Sequence, residues 1–201
     1  MSLKWYLIII SACVISASVI ISSAFSVSFW GTLGLISLLT VAVIIIDAIT
    51  ATVCRLLPAK YADFEKKQYT VTSKEKMFYE KIKIRAWKEK VPEIGHFTGF
   101  RKNKIAEPDN PEYVKRFLTE ICYGELGHFY SVFTGFSLVI TAVLGGIYLS
   151  ASLTVSFVNG LLNILPIMVL RYNSYKLKTL YKRLQTKRAT VDKTAKHPDN
   201  A

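Results

Sequence analysis

Charge is what this sequence lacks over two long stretches. Between Trp5 and Cys54 the one charged side chain is Asp47, and from Phe129 to Leu170 there is none. Each stretch exceeds the roughly 20 residues that cross a hydrocarbon core as a helix, and each is long enough to cross and return. Cysteine is scarce as well. Cys13, Cys54 and Cys122 show no CxxC spacing, so neither a zinc site nor a disulfide, and no disulfide-linked partner, is expected. Acidic residues number 14 against 26 basic ones, a formal net charge of +12.

What is present is apolar. Hydrophobic residues make up 51% of the 201, and mean hydropathy is +0.31. Backbone polar groups in lipid must be satisfied within their own segment, which favours helices. The apolar–polar alternation of a transmembrane barrel is missing. The fold class expected is an all-α membrane protein with about four transmembrane helices in two hairpins, at residues 5–24, 30–53, 129–150 and 153–170. The hairpins should turn near residues 25–29 and at Ala151-Ser152. This gives an N-terminal hairpin (1–54), a basic helical cytoplasmic segment (55–128), a C-terminal hairpin (129–172) and a basic tail (173–201). The first span is longer than a usual signal-peptide core, and Lys4 alone precedes it. Ser22-Ser23-Ala24 would serve as a cleavage site, so the alternative of a removed leader stays open.

A soluble chain this basic would suggest nucleic acid. Here sixteen Lys/Arg lie between Arg55 and His128, nine from Arg171 onward, and Lys4 is the last. None falls in a hairpin turn. The positive-inside rule therefore puts both termini and the central segment in the cytoplasm, in a multi-pass protein of a bacterial-type cell membrane. Such segments attract anionic lipid head groups, so membrane lipids are the expected partner and nucleic acid is not.

In the central segment Thr72 and Glu75 read as a capping box, starting a helix from about Ser73 to Lys90 that Pro92 and Gly95 stop. Its apolar residues, including Met77, Ile84 and Trp87, form two groups, which suits a helix packed between the membrane base and its own domain. Trp87, flanked by lysines, suits the head-group level. Residues 92–110 read as a loop. Asn110 then caps a helix with Pro111 at its first position, and no proline interrupts it before Pro166. It should run unbroken into the third span.

Glu120, Glu125 and His128 lie on that helix just before the apolar run. At 100° per residue Glu125 stands about 140°, and His128 about 80°, from Glu120, so all three share a broad face. Gly124 and Gly127 beside them leave room for an approaching group. Counting outward from a turn near residue 151 puts His128 and Arg171 within roughly 5 Å of the same depth. Asn163, Pro166 and Asn173 flank Arg171 in sequence, and Asp47 approaches from the second span. Ionisable groups at such depth are costly and point to a paired or functional role. A histidine with a neighbouring carboxylate can serve as general base toward a hydroxyl, and Arg171 or Asn173 can hold an oxyanion or a phosphate. The dull readings are a snorkelling Arg171, an Asp47 paired with Arg171 or Arg55, and an Asn163 acting as interhelical glue. Glu125-x-x-His128 is also half of a di-iron ligand set, but the other Glu-x-x-His, Glu93 to His96, falls in the expected loop rather than on a facing helix, so no metal is expected.

Arg85-Ala-Trp87-Lys88-Glu-Lys90, Glu120-x4-Glu125-Leu-x-His128-Phe129 and Asn163-x-x-Pro166-x4-Arg171-Tyr172-Asn173-x3-Leu177 resemble the glycosyl-4,4'-diaponeurosporenoate acyltransferase family over about residues 75–185. Ile121-Cys122-Tyr123-Gly124 and Ser174 depart from its usual basic residues, which leaves the acceptor open. The resemblance implies a membrane-bound O-acyltransferase without a cofactor. It would take a fatty acyl group from a donor such as acyl-CoA or another acyl carrier to a hydroxyl of a glycolipid or carotenoid-like amphiphile. His128 would be the general base, oriented by Glu125 or Glu120. Arg171, Asn173, Tyr172, Asn163, Trp87 and Asp47 would bind substrates. The alternatives are a non-enzymatic scaffold that docks a cytoplasmic partner or anionic lipid, and a small transporter. The two hairpins show none of the mutual repeat that a transporter commonly carries.

Overall fold

The computed structural model describes residues 3–91, 105–142 and 146–196. Among these residues seven α-helices run in the order α1 (Leu3–Phe25), α2 (Phe29–Leu56), α3 (Ser73–Lys81), α4 (Ile84–Trp87), α5 (Pro111–Thr134), α6 (Ser137–Thr141) and α7 (Gly146–Lys196). No strand occurs among the described residues. The expected loop from Pro92 through His96 and Gly99 to residue 104, and His197 in the tail, lie outside the described residues.

Among the described residues, three helices are long and apolar enough to cross a membrane: α1 from Leu7, α2, and α7 up to Thr190. Their outer faces carry large exposed apolar side chains, among them Ile20, Leu38 and Phe157, a surface that lipid covers and water would not. Ser26, with φ of +52°, makes the turn from α1 to α2, within the expected residues 25–29. Leu57 leaves α2 in extended conformation ahead of Pro58. Small and hydroxylated residues line the helix contacts. Ser18 bonds the Val14 carbonyl, and Thr50 meets Thr134 at 3.0 Å. Ile36, Val43, Ala151 and Val155 form the apolar core between them.

The C-terminal hairpin corrects the expectation. Ala151 and Ser152 lie inside α7, which begins at Gly146 with φ of +56°. The reversal therefore precedes residue 146. The expected third span is not one helix either. α5 stops at Thr134, Gly135 and Phe136 interrupt it, and α6 adds only five residues. Ser156 of α7 donates to the Gly135 carbonyl at 2.9 Å, which satisfies a group that the break would otherwise strand in an apolar setting. Among the described residues three helices of crossing length stand, against the four expected.

At the charged end, Asn110 caps α5 by accepting from the Glu112 and Tyr113 amides, with Pro111 first in the helix, as its sequence suggests. α5 and α7 pack along each other. Phe64, Tyr69, Val114, Phe117, Leu118, Ile121 and Leu177 fill a second core outside the apolar spans. The helix expected over residues 73–90 starts on its Thr72 cap but splits at Lys83, whose φ of +52° is left-handed. Trp87 Nε1 donates to the Ile82 carbonyl at 3.0 Å and so ties α4 back across that break. The fold this produces lays Tyr79 and Ile84 on Val169 and Tyr172 of α7.

Candidate active site

α7 runs from the apolar bundle to the charged end, and the polar residues of the chain gather on it in three successive groups. The deepest joins three helices. Asp47 of α2 lies opposite Asn159 and Asn163, one turn apart on α7 and both buried. Asn163 Nδ2 donates to Asp47 Oδ2 at 2.9 Å and also reaches the Asn159 carbonyl at 3.1 Å. Asn159 Nδ2 donates to Asp47 Oδ1 at 3.3 Å. On its other side Asn163 Oδ1 meets His128 Nδ1 of α5 at 2.8 Å.

This chain of bonds assigns the imidazole. An ionised carboxylate only accepts, so the NH2 of Asn163 must face Asp47 and its carbonyl must face His128. Nδ1 is then the protonated nitrogen, and Nε2 carries the lone pair. Among the described residues no protein group bonds Nε2. Close helix approach makes room for the network. A Cβ on Gly135 would stand 2.6 Å from Asn159 Nδ2, and one on Gly127 would stand 3.6 Å from the Ala51 backbone.

The second group surrounds Arg171. Nε and Nη2 pair with Glu75, Nη1 pairs with Glu125, and the Gln68 and Thr70 carbonyls accept from Nη1 and Nη2. A guanidinium has five N–H donors, and all five are occupied. Holding an anion with Arg171 would mean giving up one of these bonds. Tyr79 donates to Glu75 at 2.5 Å. Burial alone would push the Glu75 carboxyl up, but the hydrogen bonds from Arg171 and Tyr79 outweigh it and hold the group below its usual range. Burial, and then the bond to Glu75, push the Tyr79 phenol well above its ordinary value.

The third group lies farther along α7. The Tyr172 hydroxyl accepts from Arg85 Nε at 2.5 Å, and Asn173 Oδ1 accepts from Lys88 Nζ at 3.2 Å. Lys176 stands 4.9 Å from the Tyr172 ring centre, within cation–π range. Trp87 packs beside Tyr172 and Val169.

Sequence counting put these residues in one place, and the structure separates them. His128, Asn163 and Asp47 come together. Glu125 turns to Arg171, and Glu120 pairs with Arg55 at 2.8 Å on partly exposed surface. The carboxylate linked to His128 is thus Asp47 through Asn163, rather than Glu125 or Glu120. Asn159 and Glu75 were missed. Asn159 and Asn163 form an i, i+4 amide pair inside an apolar run, a signal for polar contact between spans. Glu75 read only as a cap residue. Among the described residues no group of three or more His, Cys, Asp or Glu is placed to hold a metal ion.

An open apolar groove borders the deepest group. Ala17 of α1, Val43 of α2, and Val155, Val158 and Asn159 of α7 help line a space of about 60 Å³ that opens to the outside.

The sequence model that describes the glycosyl-4,4'-diaponeurosporenoate acyltransferases matches residues 60–183. That span includes Glu75, Glu125, His128, Asn163 and Arg171, and it leaves out α1 and the whole of α2 with Asp47. Among curated proteins and among solved structures nothing matches the chain.

Proposed function

The chain belongs to the glycosyl-4,4'-diaponeurosporenoate acyltransferase family, an acyltransferase family of carotenoid biosynthesis, and from that premise we propose that it esterifies a fatty acyl group onto a hydroxyl of a glycolipid or glycosylated carotenoid-like acceptor. The reaction takes place at the cytoplasmic face of a bacterial-type membrane, where the positive-inside rule puts the charged end and both termini. The observation that carries the reading is the Asp47–Asn163–His128 chain of bonds. It gives a histidine with one nitrogen fixed and the other free, at the border between apolar helices and a charged surface.

His128 Nε2 takes the proton of the acceptor hydroxyl as its oxygen attacks the acyl carbonyl. The new C–O ester bond forms, the bond from the carbonyl carbon to the donor's sulfur or oxygen breaks, and the proton passes from His128 to that leaving atom. Asn163 keeps the ring oriented throughout, and Asp47 offsets the positive charge that the ring carries in between. Asn163 and Asp47 are positioning residues in this scheme. The groove beside Asn159 receives an aliphatic chain.

The test is lipid mass spectrometry on membranes from cells with the gene, without it, and with His128→Ala. One lipid species should lose the mass of a fatty acyl group in both altered strains. No change in any lipid in either strain overturns the proposal.

A further inference from the structure

Beyond Arg171, the charged end of α7 carries a second cationic site. Lys76 and Glu80 of α3, Arg85 of α4, and Tyr172, Tyr175 and Lys176 of α7 line a pocket of about 260 Å³. Arg85 is held at one end by its Nε bond to Tyr172. Among the described residues its two terminal nitrogens have no protein acceptor. The ammonium of Lys176 lies 4.9 Å from the Tyr172 ring centre, and that of Lys76 lies 5.0 Å from the Tyr175 ring centre. Three cations thus converge on two aromatic rings. The lone acid in the pocket, Glu80, stands 3.8 Å from Lys76 and also attracts Arg85, one negative charge against three positive ones.

We infer that this pocket binds a phosphate of the acyl donor, with Arg85 as its forked ligand and Lys76 and Lys176 as point charges. A guanidinium with free terminal N–H groups matches the spacing of phosphate oxygens, and lysines add attraction without directional demand. Arg171 has no donor left to give. The next cation along α7, Lys176, lines this pocket. Tyr172 is a positioning residue here. Its phenol is buried, takes the Arg85 Nε, and aims the rest of the guanidinium outward. The inference rests on the acyl-transfer reading, because that reading supplies a phosphate-bearing donor. Two sources share the chemistry: a nucleotide thioester in solution and a phospholipid in the bilayer.

Coenzyme A titrated calorimetrically into the full chain in uncharged detergent micelles probes the first source. Phosphatidylglycerol retained by the full chain in native mass spectrometry probes the second. One of the two should bind, and Arg85→Ala should weaken that binding about tenfold or more, the scale of one lost charge-assisted contact pair. Lys176→Ala should weaken it less, and Lys66→Ala, a cation remote from the pocket, should leave it unchanged. Each variant's circular dichroism checks that its helices remain. The site is refuted if neither probe binds, if Arg85→Ala binds like the parent, or if Lys66→Ala loses as much as Arg85→Ala. His128→Ala should bind either probe normally, since binding is read without turnover. Retained binding together with unaltered cellular lipids would remove the acyl-transfer reading while leaving the pocket standing.

Discussion

Asp47 and His128 sit on different helices and are joined through one amide. Asn163 accepts from His128 at 2.8 Å and donates to Asp47 at 2.9 Å. Asp47→Asn should therefore damage a histidine that it does not touch. A neutral amide at 47 can donate as well as accept, so Asn163 is free to flip and present its NH2 to His128. The ring then turns its lone pair inward. General-base contributions of about 10²–10⁴-fold are at stake, and acyl transfer in membranes should fall by at least about tenfold with expression unchanged. Full activity in Asp47→Asn would show that the carboxylate does not set the tautomer.

Arg171 holds two carboxylates and two carbonyls, from residues 68–70, Glu75 and Glu125. Its removal leaves Glu75 and Glu125 facing each other without a cation. Breaking such a half-buried pair costs on the order of 3–5 kcal/mol, so Arg171→Ala should lower Tm by about 10 °C in a chain of this size. Arg171→Lys should recover only part of this, because three donors cannot replace a planar fork of five. Heating in the presence of a thiol dye reads the unfolding, since Cys54 and Cys122 are buried. Equal stability of the lysine variant and the parent would mean that the fork is not needed.

Acid should weaken the Glu75 side of the same cluster, whereas burial pushes the Glu125 carboxyl up. The Glu75 carboxyl is held below its ordinary value of 4.5, so folding favours its charged form. The stabilisation is present above that value and is lost as pH falls through the lower folded-state value. Unfolding temperatures measured at successively lower pH below about 4.5 should drop more steeply in the parent than in Glu75→Gln, which has no such proton to take up. Parallel curves would rule out this source of acid sensitivity.

The sequence made the membrane character legible because an absence of charge over forty-residue stretches has few other causes. The Thr72 and Asn110 caps were equally readable, since each cap places one side-chain oxygen on amides two or three residues ahead. The hairpin turn was misplaced because apolarity does not vary along residues 129–170. The start of α7 at Gly146 and the His128–Asn163 and Glu125–Arg171 contacts put the reversal before residue 146, several residues before Ala151. The Gly145-Gly146 pair was the local signal for it. That shift explains the candidate site. It moved Arg171 away from His128 and brought Asn163 to it, and it gave Glu125 to Arg171. Lys83 in left-handed conformation had no sequence signal, since lysine rarely adopts it.

Gly135 offers a way to disturb the network without touching a polar residue. A methyl group there would meet Asn159 Nδ2 at 2.6 Å and Val43 at 3.4 Å. The amide is the movable partner, so Gly135→Ala should push Asn159 off Asp47 and reduce turnover several-fold while the helices stay in place. Gly34 has nothing within 4 Å of the same position, and Gly34→Ala should leave turnover intact. Matching rates in the two variants would separate Asn159 from the work of the site.

The apolar groove gives the acyl-transfer reading a dimension that can be measured. Asn159 belongs to both the groove wall and the Asp47 network. A chain lying in the groove would therefore have its reactive end near His128 and its tail between α1, α2 and α7. Val158→Phe or Ala17→Phe would add a ring where the tail should run. Overpacking of this kind excludes the longest occupant first, because a shorter chain ends before it reaches the obstruction. Lipid products from cells carrying either variant should shift toward shorter acyl groups, with the shortest made at close to the normal rate. A uniform loss across all lengths would mean that the substitution damages the bundle, and an unchanged distribution would mean that the chain lies elsewhere. Only the length-selective result ties the groove to the ester that is formed.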